Sequence, residues 1–157
     1  MASGEVVIQS MWSPAVTKVR QQGVDCVYQP LKEGYRAWAA GLGIPTHVEG
    51  RTLDACYEFI NWYLTGWAGA FLNRQGYYTA AIDTAKGHMT ADEWGYWMEG
   101  QPCKEAIKSP TGEELAKPGE TRDGGSFWDR MGKVAVWNTV MDEDRYMVRK
   151  WNEFVAA

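Results

Sequence analysis

The chain has 157 residues, 45% of them apolar, with 16 Lys and Arg against 20 Asp and Glu for a net charge of −4. That length fits a single domain whose core needs no disulfide staples, and the apolar content excludes a disordered chain. Both charge signs are scattered, so no basic stripe offers itself to nucleic acid, and no run approaches the roughly 20 apolar residues of a membrane span.

Nine Trp, eight Tyr and four Phe are the compositional outlier. Much of this aromatic supply belongs in a core, but flat rigid faces also suit a sugar, an amine or an aromatic ligand. Cys26, Cys56 and Cys103 form an odd set without a CxxC pair or a nearby His, which argues against zinc and permits at most one disulfide. Cys26 and Cys56 read as small buried apolar residues and Cys103 as a loop thiol.

Glu5 to Trp12 carries Val6, Val7, Ile8 and Met11, a β-branched run that predicts a strand buried on both faces and ended by Ser13-Pro14. Val16 to Gln21 fits one or two helical turns closed by Gly23, and Val24 to Tyr28 reads as a second strand ended by Pro30. Lys32 to Pro45 is rich in glycine and aromatics, ends in a third predicted strand, and its glycines suggest close backbone approach. In Thr52 to Thr65 the residues Leu53, Cys56, Tyr57, Ile60, Tyr63 and Leu64 recur at the spacing of an amphipathic helix.

A further helix is expected over Trp67 to Arg74 with Gly76 at its C-cap. Thr90-Ala91-Asp92-Glu93 is a capping box that opens a short helix stopping at Gly100. Gln101 to Gly125 holds three of the six prolines and no periodicity, which predicts one long irregular loop. Ser126-Phe127-Trp128-Asp129 caps another helix, with Trp128, Met131 and Val134 or Ala135 on one face. Asp142-Glu143-Asp144 starts the last helix, whose buried stripe is expected to be Met147, Trp151, Phe154 and Val155. The whole reads as one α/β or α+β unit over residues 1–157, strands first and helices later.

Phosphate-loop, dinucleotide, zincin and hydrolase-elbow strings are all missing from the sequence. His47 and His88 sit in polar, turn-like settings, where a solvated residue is expected rather than a general base. Asp142-Glu143-Asp144 has neither the central glycine nor the closing glutamate of a calcium loop. The sequence therefore predicts binding rather than catalysis, with no catalytic residue, no metal and no cofactor.

The runs Gly4-Glu5-Val6-Val7-Ile8-Gln9-Ser10-Met11-Trp12-Ser13 and Pro30-Leu31-Lys32-Glu33-Gly34-Tyr35-Arg36-Ala37-Trp38 resemble the later half of a bacterial extracellular solute-binding protein of the spermidine/putrescine type, which serves an ABC importer. The likeness continues through Asp54-Ala55-Cys56-Tyr57-Glu58-Phe59-Ile60-Asn61-Trp62-Tyr63-Leu64, Gln75-Gly76-Tyr77 and Trp151-Asn152-Glu153-Phe154. It implies a portion of a type II periplasmic-binding-protein-like fold, a short sheet flanked by several helices, lacking the earlier part that supplies most of one lobe and half the cleft. The chain is thus expected to be an isolated half of the clamp. By the resemblance it is periplasmic; by the absence of a signal peptide ahead of residue 5 it is expected in the cytoplasm as written.

The resemblance further implies a ligand-binding surface made by Trp12, Ser13, Tyr35, Arg36, Trp38 and Tyr77. Trp12, Trp38 and Tyr77 would stack on an amine, Ser13 would offer a hydroxyl, and Arg36 would set the charge preference. In the polyamine binders an aspartate stands two residues after the second tryptophan, where this chain has Ala40. With that carboxylate replaced and Arg36 nearby, an amine or amino-acid-like ligand carrying a carboxylate fits at least as well as a polyamine. The expected partners are such a small molecule, an ABC-transporter permease if the protein is full-length, and a second copy of the chain, with no nucleic acid. The competing expectation is a self-associating structural module whose surplus aromatics form a homo-oligomeric interface.

Overall fold

The computed structural model describes residues 1–79, 81–138 and 143–156. In order these form α1 (Ser13–Gln21), β1 (Tyr35–Ala37), α2 (Gly50–Leu64), α3 (Trp67–Asn73), α4 (Ile82–Lys86) and α5 (Ala91–Trp94). A π-turn (Gly95–Glu99), β2 (Ile107–Lys108), β3 (Glu114–Ala116), α6 (Phe127–Met131), β4 (Val134–Trp137) and α7 (Asp144–Val155) follow. The chain is a mixed α and β structure, with helices contributing most of the regular elements.

The short sheet is in fact two separate pairs. β1 and β4 run parallel, with Tyr35 opposite Val134 and Ala37 opposite Trp137 across a bulge after Tyr35. β2 and β3 form an antiparallel hairpin within the stretch expected to be an irregular loop. That stretch is organised, because the Cys103 amide donates to the Glu120 carbonyl at 3.0 Å and Ile107 and Ala116 are buried. The Cys103 thiol is buried and donates to the Lys117 carbonyl at 3.0 Å, whereas Cys26 and Cys56 are only half-buried, which reverses the expected burial of the three. Val134 and Ala135 belong to β4 rather than to a helix face.

The first two predicted strands do not form. Val7 and Ile8 lie exposed in an irregular segment, since β-branched residues favour a strand only where a neighbour supplies the ladder. From Val24 to Tyr28 the backbone is instead bound by side chains: Arg20 donates to the Cys26 carbonyl at 2.7 Å and the Asp123 carboxylate accepts from the Tyr28 amide at 2.9 Å. The third strand is β1, lying earlier than the expected end of Lys32 to Pro45.

Local signals fare better. α1 begins at Ser13-Pro14, and Thr90 and Ser126 each make the reciprocal cap with Glu93 and Asp129. The predicted stripe of α2 supplies its half-buried face through Leu53, Cys56, Ile60 and Tyr63, while Tyr57 and Leu64 stay exposed. α7 forms as expected, but Met147, Trp151, Phe154 and Val155 are exposed and no residue of the helix is buried. An amphipathic stripe fixes a helix's own periodicity and not the partner that covers it. Asp142, placed at the start of that helix, lies outside the described residues.

The core gathers where α5, the π-turn, the β2–β3 hairpin and α6 meet. Tyr96, Trp97, Met98, Cys103, Ile107, Ala116 and Phe127 are buried there, flanked by Tyr78, Ile82 and Met131. No helix among the described residues is long and apolar enough to cross a membrane.

One ion pair ties α3 to α5. Arg74 donates from Nε and Nη2 to the two Glu93 oxygens at 2.7 and 3.0 Å, and its Nη2 also reaches the His88 carbonyl at 2.8 Å. The Arg74 hydrogen bond is the main cause holding the Glu93 carboxyl below its ordinary 4.5. A depressed carboxyl contributes stability that is present above the unfolded value and is lost as pH falls through the folded value. Glu93→Gln is expected to lower stability by about 1 kcal/mol at pH 7, a figure reduced for solvent screening. Urea unfolding at a series of pH values checks this, with the difference between variant and wild type shrinking below pH 4.5.

Candidate functional site

α1 starts against the turn that ends α3. The Ser13 hydroxyl donates to the Gly76 carbonyl at 2.8 Å, and Gly76 lies against the Pro14 ring. This contact joins residues 63 apart and brings the Trp12-Ser13 corner beside Gly76-Tyr77. Trp12 is the residue before α1, in extended geometry, with its carbonyl accepting from Ala15. Its ring lies 5.9 Å from that of Trp38, inclined by 41°. Trp12 is 62% and Trp38 48% exposed, so both rings present area to solvent.

Trp38 is held by the end of the β1–β4 pair, where the Asn138 amide donates to the Ala37 carbonyl at 2.8 Å. Arg36 is exposed, and its Nε donates to the Asn138 side-chain oxygen at 2.6 Å. That bond uses one of five donors and leaves the fork able to meet an anion. Tyr77 is half-buried directly after Gly76. The Ser13 proton is committed to Gly76, which leaves its oxygen as an acceptor only.

Tyr35 goes elsewhere. Its ring stacks on Tyr28 at 5.9 Å, and its hydroxyl is buried close to Arg130 without a complete hydrogen bond. Burial raises its pKa above the ordinary 10.0, opposed by the Arg130 charge. Of the six expected residues, the fold therefore pairs Trp12 with Trp38, places Ser13 and Tyr77 on the adjoining corner, keeps Arg36 at the strand pair, and sends Tyr35 to a different cluster. His47 and His88 are both exposed; the His88 Nε2 lies 3.0 Å from the Thr65 carbonyl.

The cluster that receives Tyr35 is built on two buried arginines, Arg122 at 7% and Arg130 at 5% exposure. The Arg122 guanidinium lies 4.5 Å from the Tyr78 ring centre and 4.7 Å from that of Trp97. It donates to the Gly76 carbonyl at 2.8 Å and, more weakly, to the Trp97 carbonyl at 3.4 Å. Arg130 lies 4.9 Å from the Tyr78 ring and 5.8 Å from Tyr28. Burial pushes Arg122 down to about 10, and it pushes the Tyr96 hydroxyl up to about 12. Burial raises Tyr35, Tyr78 and Tyr96 alike, so these three hydroxyls are neutral at physiological pH and supply no counter-charge.

Nothing in the sequence singles out this cluster, because Arg122 falls in the aperiodic connection and Arg130 on a five-residue helix. The nearest local signal is Gly124, where a Cβ would stand 2.9 Å from the Tyr35 hydroxyl and 3.2 Å from Arg130 Cγ. The missing side chain at Gly124 makes room for Tyr35 and Arg130.

The chain matches no protein-family model, no curated protein and no solved structure.

Proposed function

We propose that the chain is a solute-binding domain related to the amine-binding components of ABC importers, part of a type II periplasmic-binding-protein-like clamp. The observation that carries this reading is the Trp12–Trp38 pair, two inclined, solvent-open rings 5.9 Å apart beside the Ser13–Gly76 corner. A π face near an ammonium contributes roughly 0.5–2 kcal/mol, and two inclined faces define a notch that an amine enters from solvent. Arg36, steadied by Asn138, adds a positive charge at the same strand pair, so the favoured solute carries a carboxylate as well as an amine. The domain performs no chemistry on that solute. In a full-length protein the second lobe would close over it and present the closed form to the transporter permease.

The test is a tryptophan-fluorescence titration with spermidine, putrescine, an amine bearing a carboxylate, and a neutral sugar. A saturable change is expected, strongest for the amine bearing a carboxylate and weakened about tenfold in Trp12→Phe and Trp38→Ala variants. A response that is the same in both variants, or that appears only with the sugar, would refute the amine notch.

A second reading, a self-associating module descended from such a protein, is favoured by one observation. Tyr146, Met147, Trp151, Phe154 and Val155 of α7 are all exposed, as are Tyr57, Phe59 and Trp62 of α2. Apolar area of this kind marks an interaction surface. Light scattering on the same samples separates the two: a stable dimer with no titration supports self-association over solute binding.

A further inference from the structure

Arg122 and Arg130 are two like charges against one ring, both within 5 Å of the Tyr78 centre. Among the described residues no carboxylate stands within ion-pair distance of either. Asp123, next to Arg122, is engaged by Arg20 at 2.6 Å and by the Tyr28 amide at 2.9 Å, and Asp129, next to Arg130, accepts from the Ser126 hydroxyl at 2.7 Å and amide at 3.1 Å. A buried charge is ordinarily paired, and aromatic faces with two carbonyls compensate only part of the lost hydration of one guanidinium.

The donors around these arginines are also unused. Arg130 Nε and Nη1, the Tyr35 and Tyr78 hydroxyls and Trp97 Nε1 are all buried, and none has a hydrogen-bond partner among the described residues. Every one of these groups can donate, and the arginine and tryptophan nitrogens can do nothing else. Of these residues Arg130 and Trp97 line a cavity of about 40 Å³, whose wall also includes Arg122, Arg20, Ser13 and Gly76. One water needs roughly 10–15 Å³ of such space, so the cavity takes about three or four heavy atoms, the size of a carboxylate or of the inner part of a phosphate. Three arginines against Asp123 leave the lining positive.

We propose that this cavity binds a small oxyanion, a carboxylate or phosphate group, with Arg122 and Arg130 as its principal donors. A planar guanidinium fork meets two oxygens of such a group at once, and the low local dielectric strengthens each charge-assisted bond. The anion would offset the repulsion between the two arginines and occupy donors that the fold otherwise buries unused. The Ser13–Gly76 contact forms one wall, and Gly76 also accepts from Arg122, so occupancy of the cavity is felt at the corner that carries Trp12. The site stands on its own observations and does not depend on the aromatic notch.

The experiment is calorimetric titration of the intact chain with formate, acetate and inorganic phosphate, each against sodium chloride at matched ionic strength. Thermal unfolding and the arginine Nε–H resonances are followed in parallel. Saturable binding with a raised unfolding temperature and shifted Nε–H resonances is expected. Response to formate and acetate alone identifies a carboxylate as the natural group, response to phosphate alone a phosphoryl group, and response to both a general oxyanion site. Arg130→Met is expected to weaken binding at least tenfold. Should Arg130→Met fail to fold, the wild-type Nε–H resonances still decide. Resonances unmoved by any of the three oxyanions, or affinity unchanged in a folded Arg130→Met, would overturn the proposal.

Discussion

Gly66→Ala is expected to destabilise the chain by about 3 kcal/mol or more, because backbone strain and a backbone clash act on the same methyl group. Gly66 has φ +101 and precedes α3 at the sharp change of direction from α2. A side chain in that conformation is strained by roughly 1–2 kcal/mol on its own. The added Cβ would also fall closer than 3.0 Å to the backbone of Thr84 and Ala85, where α4 packs across the turn. Backbone cannot rotate out of the way as a side chain can. Relief requires moving α4, which is pinned by the Thr84 hydroxyl donating to the Leu64 carbonyl at 2.8 Å and by the fully buried Ala85. Gly112→Ala is the control: its φ is +86 but no atom lies within 4 Å of the added carbon, so only the strain is felt. Urea unfolding of both variants checks this, and equal midpoints would show that α3 and α4 do not pack as described.

That turn illustrates what a sequence states and what it leaves open. The caps at Thr90 and Ser126 and the half-buried stripe of α2 depend on residues three or four apart, and each is legible for that reason. Strands depend on partners that sequence periodicity does not name. Val6 to Ile8 has the composition of a strand and no ladder to join among the described residues, whereas Tyr35–Ala37 has only three residues and becomes one because Val134–Trp137 returns beside it. The hairpin Ile107–Ala116 is hidden for a related reason: two and three residues are too few to display alternation, and its neighbours are turn residues. α7 shows the converse, a stripe evident in the sequence whose cover is not among the described residues.

The candidate site divides in the same way. Trp12 and Trp38 stand out through the resemblance of their surroundings to a solute-binding family, and the fold sets them ring against ring. Tyr35 is only three residues from Trp38 and shares that resemblance, but alternation along β1 turns adjacent side chains to opposite faces, and its ring joins Tyr28 and Arg130. Arg122 and Arg130 are invisible in the sequence, where an arginine in a polar connection reads as a solvated charge. Their burial follows from long-range contacts with Tyr78, Trp97 and Gly76 that no local pattern encodes.

Arg122 therefore gives the second large prediction. Truncation to Ala is expected to lower stability by about 3 kcal/mol, and replacement by Met by about half as much. Ala leaves a cavity between the Tyr78 and Trp97 rings and removes one of the two donors to the buried Gly76 carbonyl, the other being the Ser13 hydroxyl. Met fills the space along the aliphatic stem and removes only the donors. Opposing both is relief of a buried charge, the cause that pushes Arg122 down to about 10, and of its repulsion from Arg130. Two aromatic faces and two carbonyls already compensate part of that burial, so the lost packing and the lost bond to the Gly76 carbonyl, which keeps only its Ser13 donor, outweigh the relief in the Ala variant. Denaturant midpoints for the two variants measure the balance. A Met variant more stable than wild type would mean that the charge is a net burden in the anion-free fold, and added oxyanion should then reverse the order, because only the wild type keeps both arginines to bind it.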